Sequence, residues 1–287
     1  MNTKGLIIVV LVFALVTMAC GLQINLPEVN LKTGPTVTDD LFVDLPDSNA
    51  VQVVEFSFGA GELKIAPGAE KGLIEGTATY NVPDLKPEIT TGNTVEIKTG
   101  DLELNGIPKL SGDLKNEWDL KLNSHPMNLR ISAGAYQGRM ELGGLSLESL
   151  RVSDGAADVE LSFSEPNLVM MDNLRYESGA SRVALTGLAN ANFQSMTFRG
   201  GAGDYTLDFS GELQQDADVN VDAGVSSVTI IVPEGTNVTV FVGGGLTDVN
   251  RSGAWDKQND EYSLSGSGPI IRIDVSMGAG SLNLRTR

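Results

Sequence analysis

Side chains able to carry out acid–base or nucleophilic chemistry are scarce in this chain of 287 residues, which has one His and one Cys. His125, the only imidazole, lies in the sequence Asn-Ser-His-Pro, which predicts a solvated turn between strands. Acyl transfer needs a nucleophile, a base and an orienting group, and multi-His zinc sites need several imidazoles. Carboxylates are so numerous that a pair for glycoside hydrolysis carries no information by itself. We therefore expect a protein that is not an enzyme and holds no cofactor.

Three aspartates share one face of a predicted strand, at Asp216, Asp218 and Asp222. Hard cations such as Ca²⁺ prefer oxygen ligands of this kind. Side chains on one face of a strand lie about 6.5–7 Å apart, so an ion bound here needs further ligands from a loop. Two interpretations stay open, a calcium site and a solvated outer face, and we favour the second.

Three arginines occupy equivalent positions of a repeated sequence, at Arg130, Arg151 and Arg175. If the repeats stack in register, these side chains form one column, which could bind an anionic glycan. The interpretation that we favour is that they alternate with acidic residues of neighbouring repeats on an exposed face.

The net charge excludes one class of partner. The chain has 37 acidic and 20 basic residues and a formal charge of −17. Such a chain repels phosphate backbones, so binding to nucleic acid through counterion release has no electrostatic basis. Anionic membrane surfaces repel it for the same reason.

The N-terminal segment has the features of a secretory signal. Lys4 precedes an apolar run from Leu6 to Val16, which is shorter than the roughly 20 residues that a membrane-spanning helix needs. The sequence Val-Thr-Met-Ala-Cys at residues 16–20 resembles the lipobox of bacterial lipoproteins, which implies that Cys20 is lipidated after removal of a signal peptide at residues 1–19. The alternatives are an uncleaved N-terminal anchor and a freely secreted protein. The lipobox resemblance implies an extracytoplasmic protein held at the bacterial membrane by its lipid.

Residues 20–50 are rich in proline and aspartate and predict a tether between the lipid and a folded domain. The alternative is that residues 41–45 form an edge strand of that domain.

The rest of the chain is built on a repeat of about 22 residues. Leu-Arg-Ile-Ser-Ala-Gly-Ala at residues 129–135 recurs in altered form four times, with turn glycines separated by 21, 24, 22 and 23 residues. Alternating apolar residues flank each glycine and predict two strands with one buried face. The glycine permits either an unusual backbone conformation or a close approach that a Cβ would block. The predicted structural turn residues are Gly59, Gly134, Gly155, Gly179, Gly201, Gly224 and Gly278.

This pattern predicts an all-β fold, a stacked β-solenoid similar to a parallel β-helix, with a β-sandwich as the alternative. Residues 54–65 match residues 273–284 in pattern, which predicts that these segments form the first and last coils. We assign residues 51–125 to an irregular N-terminal β region, with strands at 73–80, 94–98 and 118–122, and residues 126–287 to the solenoid. The irregular stretches are candidates for caps that hide the terminal coils.

The repeated Leu-Arg-x-Ser-x-Gly-Ala unit, the Phe-Gly-Ala-Gly-Glu-Leu-Lys-Ile segment at 58–65 and the lipobox together resemble the bacterial toast-rack envelope domains and the related putative-adhesin β-repeat proteins. The resemblance covers residues 50–287. It implies an extracytoplasmic stack of β-coils, in some cases attached to cell-envelope stress systems. The motifs of these families are structural and supply no catalytic residues.

The function expected from the sequence is that of a non-catalytic, lipid-anchored envelope protein that presents a β-solenoid surface for adhesion or for binding an envelope protein or a glycan. Two alternatives stay open. One is an accessory protein of a cell-envelope stress response. The other is a β-helix polysaccharide lyase or hydrolase, which predicts a groove lined by Arg, Lys and clustered carboxylates on one face of the solenoid.

Overall fold

The computed structural model of the protein describes residues 28–31, 33–100, 107–110 and 114–287. The predicted signal peptide and Cys20 lie outside these residues. Within the described ranges the regular structure consists almost entirely of strands, with two 3₁₀ turns at Pro83–Leu85 and Leu188–Ala191. No helix in this part of the chain is long and apolar enough to cross a membrane. The strands are β1 Glu28–Leu31, β2 Val37–Asp44, β3 Gln52–Pro67, β4 Gly72–Tyr80, β5 Pro87–Thr90, β6 Thr94–Thr99, β7 Ile107–Leu110, β8 Asn116–Leu122, β9 Met127–Glu141, β10 Leu147–Ser162, β11 Met171–Thr186, β12 Phe193–Asp208, β13 Ala217–Val232, β14 Asn237–Ser252, β15 Asp256–Gln258, β16 Glu261–Leu264 and β17 Ile270–Thr286.

The strands belong to two sheets in two compact units. The smaller sheet consists of β1 and β7, which pair in parallel. The larger sheet contains 15 strands, and its longest path runs β15-β16-β14-β17-β13-β12-β11-β10-β9-β3-β8-β4-β2. Its central strands β9 to β13 neighbour each other in chain order and pair in parallel. The prediction of an all-β, stacked β-solenoid is confirmed, and the sheet is not closed on itself.

Each long strand consists of two arms that meet at a corner. In β10, after the irregularity that follows Leu147, the buried apolar residues before the corner are Leu150 and Val152, and those after it are Val159 and Leu161. The first pair has even numbers and the second pair odd numbers, so the inward-facing positions shift by one residue between the arms. Two consecutive exposed residues, Gly155 and the alanine after it, occupy the corner. The arms of successive coils therefore enclose one continuous apolar core.

Buried asparagines stabilise the connections between coils. Asn167 Nδ2 donates to the carbonyl oxygens of Leu147 and Val169, each at 2.8 Å, and Asn167 Oδ1 accepts from the Leu147 N–H at 2.9 Å. Asn190 links neighbouring connections in the same way. Because a buried backbone group without a partner costs about 1–3 kcal/mol, these amides allow an irregular third segment in each coil.

The predicted turn glycines lie at the corners and stack on each other. A Cβ added to Gly179 would lie 2.4 Å from the carbonyl oxygen of Gly155, and one added to Gly201 would lie 2.4 Å from that of Gly179. None of these corner glycines has a positive φ. Of the two reasons for glycine that the sequence left open, the structure therefore selects the close approach of one coil to the next. We call this stack the glycine column, and along the sheet it contains Gly59, Gly134, Gly155, Gly179, Gly201, Gly224, Gly278 and Gly245.

The parallel stack ends in antiparallel strands on the N-terminal side. Strands β6 and β8 pair in parallel with the first and second arms of β3. Beyond them, β5 pairs antiparallel with β6, β4 pairs antiparallel with β8, and β2 pairs antiparallel with β4. The strands predicted at residues 73–80, 94–98 and 118–122 are confirmed as β4, β6 and β8. Because β3 also pairs with β9, the boundary that we place between residues 125 and 126 falls within one sheet.

The C-terminal side of the stack differs from the expectation that residues 273–284 form the last coil. Strand β17 lies between β13 and β14 and pairs in parallel with both. Strand β14 is therefore the outer parallel strand, and β16 and then β15 continue the sheet antiparallel to it. The expectation is wrong because β13, β14 and β17 have similar alternation. Similar strands can stack in any order in which their corner glycines fit against each other.

Part of the segment predicted as a tether is folded. Residues 37–44 form β2, at the edge of the larger sheet, where Leu41 and Val43 are buried. The short apolar alternation of this segment is enough for an edge strand because only one of its faces contacts the core.

Replacing Gly179 by Ala should lower the free energy of unfolding by roughly 1–3 kcal/mol, because the new methyl group would displace the carbonyl of the neighbouring coil. Gly59→Ala is the matched control. Gly59 begins the same column, but nothing lies within 4 Å of a Cβ added there. Chemical denaturation of both variants makes the comparison, and equal losses of stability would contradict close approach as the reason for glycine.

Candidate binding face

Each long strand has a first arm before its corner and a second arm after it. The solvent-facing side of the first arms, which we call the first-arm face, carries the three repeated arginines in direct register. Arg130 is the ladder partner of Arg151, and Arg151 is the partner of Arg175. Neighbouring strands are about 4.8 Å apart, so the three arginines occupy successive positions of one column without an acidic residue between them. We call these three residues the arginine column. The alternation with acidic residues that we favour from the sequence is therefore wrong within the column.

Acidic partners contact the arginine column from its end and from its side. Glu55, the ladder partner of Arg130, places Oε1 2.5 Å from Arg130 Nη1. Glu177 lies two residues beyond Arg175, and its Oε1 is 2.6 Å from Arg175 Nη2. The other oxygen of Glu177 accepts from Arg151 Nη2 at 3.0 Å.

Glu177 therefore serves several cations, because Arg199 on the next strand also approaches it, at 3.6 Å. The hydrogen bond from Arg175 holds the pKa of the Glu177 carboxyl below its usual range, and the same bond raises the pKa of Arg175. Glu177 is consequently charged across the physiological pH range. It neutralises one of the positive charges that surround it.

A column of serines runs beside the arginine column. Ser57, Ser132 and Ser153 are in register on β3, β9 and β10, at the position that Glu177 occupies on β11. Among the described residues, none of these three hydroxyls has a hydrogen-bond partner. Short side chains beside long ones leave a groove of about 620 Å³, which is lined by Glu55, Phe56, Ser57, Arg130, Ile131, Ser132, Ser149, Leu150, Arg151, Ser153, Asn173 and Arg175.

The solvent-facing side of the second arms has a different arrangement of charge. Arg182 lies in register between Asp158 and Asp204. Arg139 is in register with Glu160, and their side chains approach to 3.4 Å. Opposite charges on neighbouring strands stabilise a sheet, whereas like charges directly opposite each other destabilise it. The second-arm face also has two like charges in register, at Lys64 and Arg139, whereas the first-arm face has three in succession.

The three aspartates considered as calcium ligands are placed near arginines. Arg272 Nη1 lies 3.7 Å from a carboxylate oxygen of Asp216 and 3.9 Å from one of Asp218, and Asp222 pairs with Arg199 at 3.5 Å. Within the part of the chain that the structure describes, no group of three or more His, Cys, Asp or Glu side chains is arranged to hold a metal ion. Calcium binding stays the less favoured of the two interpretations, because Arg272 already contacts two of the carboxylates.

His125 lies in the turn between β8 and β9. Its Nε2 is 2.9 Å from the carbonyl oxygen of Ala50, and its backbone N–H donates to Asn123 Oδ1 at 2.9 Å. These contacts link the turn to the residues before β3, in agreement with a structural position for the only imidazole.

A buried polar cluster beneath the corner was missed by the sequence analysis. Asp154, next to the corner of β10, accepts hydrogen bonds from the hydroxyls of Tyr176, at 2.6 Å, and Ser178 on β11. Burial raises the pKa of Tyr176 well above its ordinary value, and the nearby Asp154 carboxylate adds to this effect. The available signal was a carboxylate at an inward position where the preceding coil has Ala133. This partly buried cluster links two neighbouring coils, and its Ser178 also lines a pocket on the surface.

Replacing Glu177 by Gln should lower the free energy of unfolding by about 1 kcal/mol at neutral pH, because the arginines around it lose their shared carboxylate. The pKa of Glu177 is lower in the folded chain than in the unfolded one. Its contribution to stability is therefore present above the unfolded pKa and disappears as the pH falls through the folded pKa. The variant should lose this part of the acid dependence.

Urea denaturation of both chains at pH 7 and in steps below pH 5 measures the difference. Glu160→Gln, which removes an exposed partner of Arg139 on the second-arm face, is the control and should change stability by less than about 0.5 kcal/mol. The idea fails if both variants behave alike at every pH.

The chain is similar to several solved structures. The chain is similar to a solved structure described as a "putative cell adhesion protein" from Clostridium sporogenes, with a TM-score of 0.50 and 20% identity over 88% of this chain and 100% of that chain. A "putative lipid binding protein" from Parabacteroides distasonis matches with a TM-score of 0.42 and 10% identity over 90% and 99% of the two chains. A "putative adhesin" from Parabacteroides merdae matches with a TM-score of 0.39 and 10% identity over 89% and 98%. No curated protein matches the chain.

A family model gives the assignment. The model of the N-terminal domain of toast_rack, DUF2154, matches residues 32–172 and 167–231, which together make up well over half of the chain. The matched segments contain the strands from β2 to β12 and nearly all of β13, and with them the arginine column and most of the glycine column. The chain therefore belongs to the toast-rack family.

Proposed function

We propose that this protein is a non-catalytic component of the bacterial cell envelope, anchored outside the cytoplasm by a lipid on Cys20, that binds an envelope partner or a glycan through the first-arm face. The observation that carries the proposal is the arginine column. Stacking three like charges on an exposed face opposes folding, and a bound anion offsets that repulsion. A face arranged in this way is better suited to binding than to structural support.

The groove is poorly suited to catalysis. Its flanking carboxylates, Glu55 and Glu177, each contact an arginine, and the pKa of Glu177 is lowered, which makes it a weak base and a weak acid donor near neutral pH. Their strands, β3 and β11, are three strand spacings apart, or about 14 Å. Glycosidases place their two carboxyl groups roughly 5–9.5 Å apart. The groove residues also include no lysine. These features favour binding over the lyase or hydrolase alternative.

Lipid attachment accounts for how so acidic a protein stays at a membrane. Loss of Lys4 with residues 1–19 changes the formal charge from −17 to −18. Electrostatic attraction to anionic lipids is therefore no source of affinity, and an acyl chain supplies the hydrophobic contact instead. The single cysteine of the chain stands at the position that the lipobox pattern requires.

Metabolic labelling with a fatty-acid analogue tests the anchor. The wild-type chain should carry the label, and Cys20→Ser should not, because the thioether that holds the lipid forms on the cysteine sulfur. An unlabelled wild-type chain in cells whose other lipoproteins are labelled would contradict lipid attachment at Cys20. A labelled Cys20→Ser chain would contradict it as well.

Crosslinking in intact cells tests the binding role. The anchored wild-type chain should capture a reproducible envelope component, and Cys20→Ser should capture less of it because the chain is no longer held close to its partner. Recovery of the same components in equal amounts with an unrelated envelope lipoprotein would contradict a specific binding role.

A further inference from the structure

We propose that the groove beside the arginine column binds a linear acidic glycan that lies across the strands, with its acidic groups against the guanidinium groups of successive coils. This inference rests on the proposed binding role of the first-arm face and names the class of ligand. The glycan is defined by its chemistry, as a chain of sugars with carboxylate or other acidic groups at regular intervals.

The groove is locally positive in an acidic protein. Its lining includes three arginines and one glutamate, Glu55, and Glu177 at its side contacts Arg151 and Arg175, so these five residues have a formal charge of +1. The Debye length at physiological ionic strength is about 8 Å, so most of the negative charge elsewhere on the chain is screened from a ligand in the groove. An anion in the groove therefore interacts chiefly with the guanidinium groups.

The geometry of the existing ion pairs shows that the guanidinium groups can donate hydrogen bonds to acidic ligands. Carboxylate oxygens already lie 2.5 Å from Arg130 and 2.6 Å from Arg175. Arg151, at the centre of the column, is more than half exposed, and within the described residues its side chain makes one hydrogen bond, from Nη2 to Glu177. A guanidinium has five N–H donors, so Arg151 keeps donors for a ligand.

The serine column supplies a second set of contacts in the same register. The hydroxyls of Ser57, Ser132 and Ser153 repeat at the strand spacing and have no partner among the described residues. A hydroxyl can both donate and accept, which suits the hydroxyl groups of a sugar. A ligand along the groove thus finds a cation on one side and a hydroxyl on the other at β9 and β10, whereas the serine of β3 lies beside Glu55 and the arginine of β11 lies beside Glu177.

The serine hydroxyls favour a glycan over an acidic polypeptide. Adjacent arginines are separated by the strand spacing of about 4.8 Å. Side chains on one face of an extended polypeptide repeat at about 6.5–7 Å, and successive sugars of a linear polysaccharide are rotated relative to each other, so spacing alone does not separate the two classes of polymer. A sugar also presents hydroxyl groups to the serine column, whereas the side chain of an acidic residue presents none. Several acidic groups on one glycan chain bind together with high effective concentration.

Binding of polygalacturonate to the detergent-solubilised full-length chain tests the inference. Polygalacturonate is a linear polymer with one carboxylate on each sugar. Wild type should bind the polymer much more tightly than monomeric galacturonate and should not bind neutral dextran. Arg151→Gln should weaken binding about tenfold, and the triple Arg130→Gln, Arg151→Gln, Arg175→Gln variant should abolish it. Glu177→Gln should strengthen binding severalfold, because it removes the carboxylate that competes for the column.

Matched variants and unfolding temperatures separate binding from folding. Arg139→Gln and Arg182→Gln remove the same charge from the second-arm face and should change the affinity less than about twofold. Arg151→Gln relieves repulsion between like charges, so its unfolding temperature should be unchanged or higher while its affinity falls. A structural role for Arg151 predicts the opposite change in stability.

Several outcomes overturn the inference: no binding of polygalacturonate, equal losses in the first-arm and second-arm variants, or equal affinity for the monomer and the polymer. Equal or tighter binding of poly-glutamate identifies an acidic polypeptide as the ligand and also rejects the glycan. If crosslinking in cells still captures a component while polygalacturonate fails to bind, the proposed binding role stands and the acidic glycan is rejected.

Discussion

The close approach of successive coils at the corner is the constraint on which the rest of this structure depends. The carbonyl oxygen of each corner glycine occupies the space that a Cβ of the next corner residue needs, with separations of 2.4–3.0 Å from Gly134 to Gly278. One residue per coil must therefore be a glycine at one place. Because that place is common to all coils, the register of both arms follows from it along the whole parallel stack.

Strict register converts a repeated residue into a column. On the second-arm face this brings opposite charges together, as for Asp158, Arg182 and Asp204. On the first-arm face the same register stacks three arginines, and Glu177, at the side of the column, contacts two of them together with Arg199. A groove bounded by cations and uncommitted hydroxyls follows directly from the repeat.

The parts of the fold that depend on local pattern could be read from the sequence. Alternation predicts the arms, the spaced glycines predict the corners, and the loss of alternation predicts where β4, β5, β6 and β8 on one side and β14 to β16 on the other end the stack. The position of β17 between β13 and β14 could not be read in this way, because a strand with the right alternation fits beside several others. The edge strand β2 was also hard to predict from the sequence, because only two of its residues, Leu41 and Val43, are buried.

The sequence by itself determined that this chain is an acidic, all-β repeat protein with one glycine per coil, because alternation and spacing are properties of neighbouring residues. Only the tertiary structure decided why the glycine is needed, which coils are neighbours, and that the arginines are register partners while Glu177 contacts two of them from the side. These facts depend on pairing between strands that are 20 or more residues apart. The contacts of a side chain with the next coil arise only when the coils have stacked.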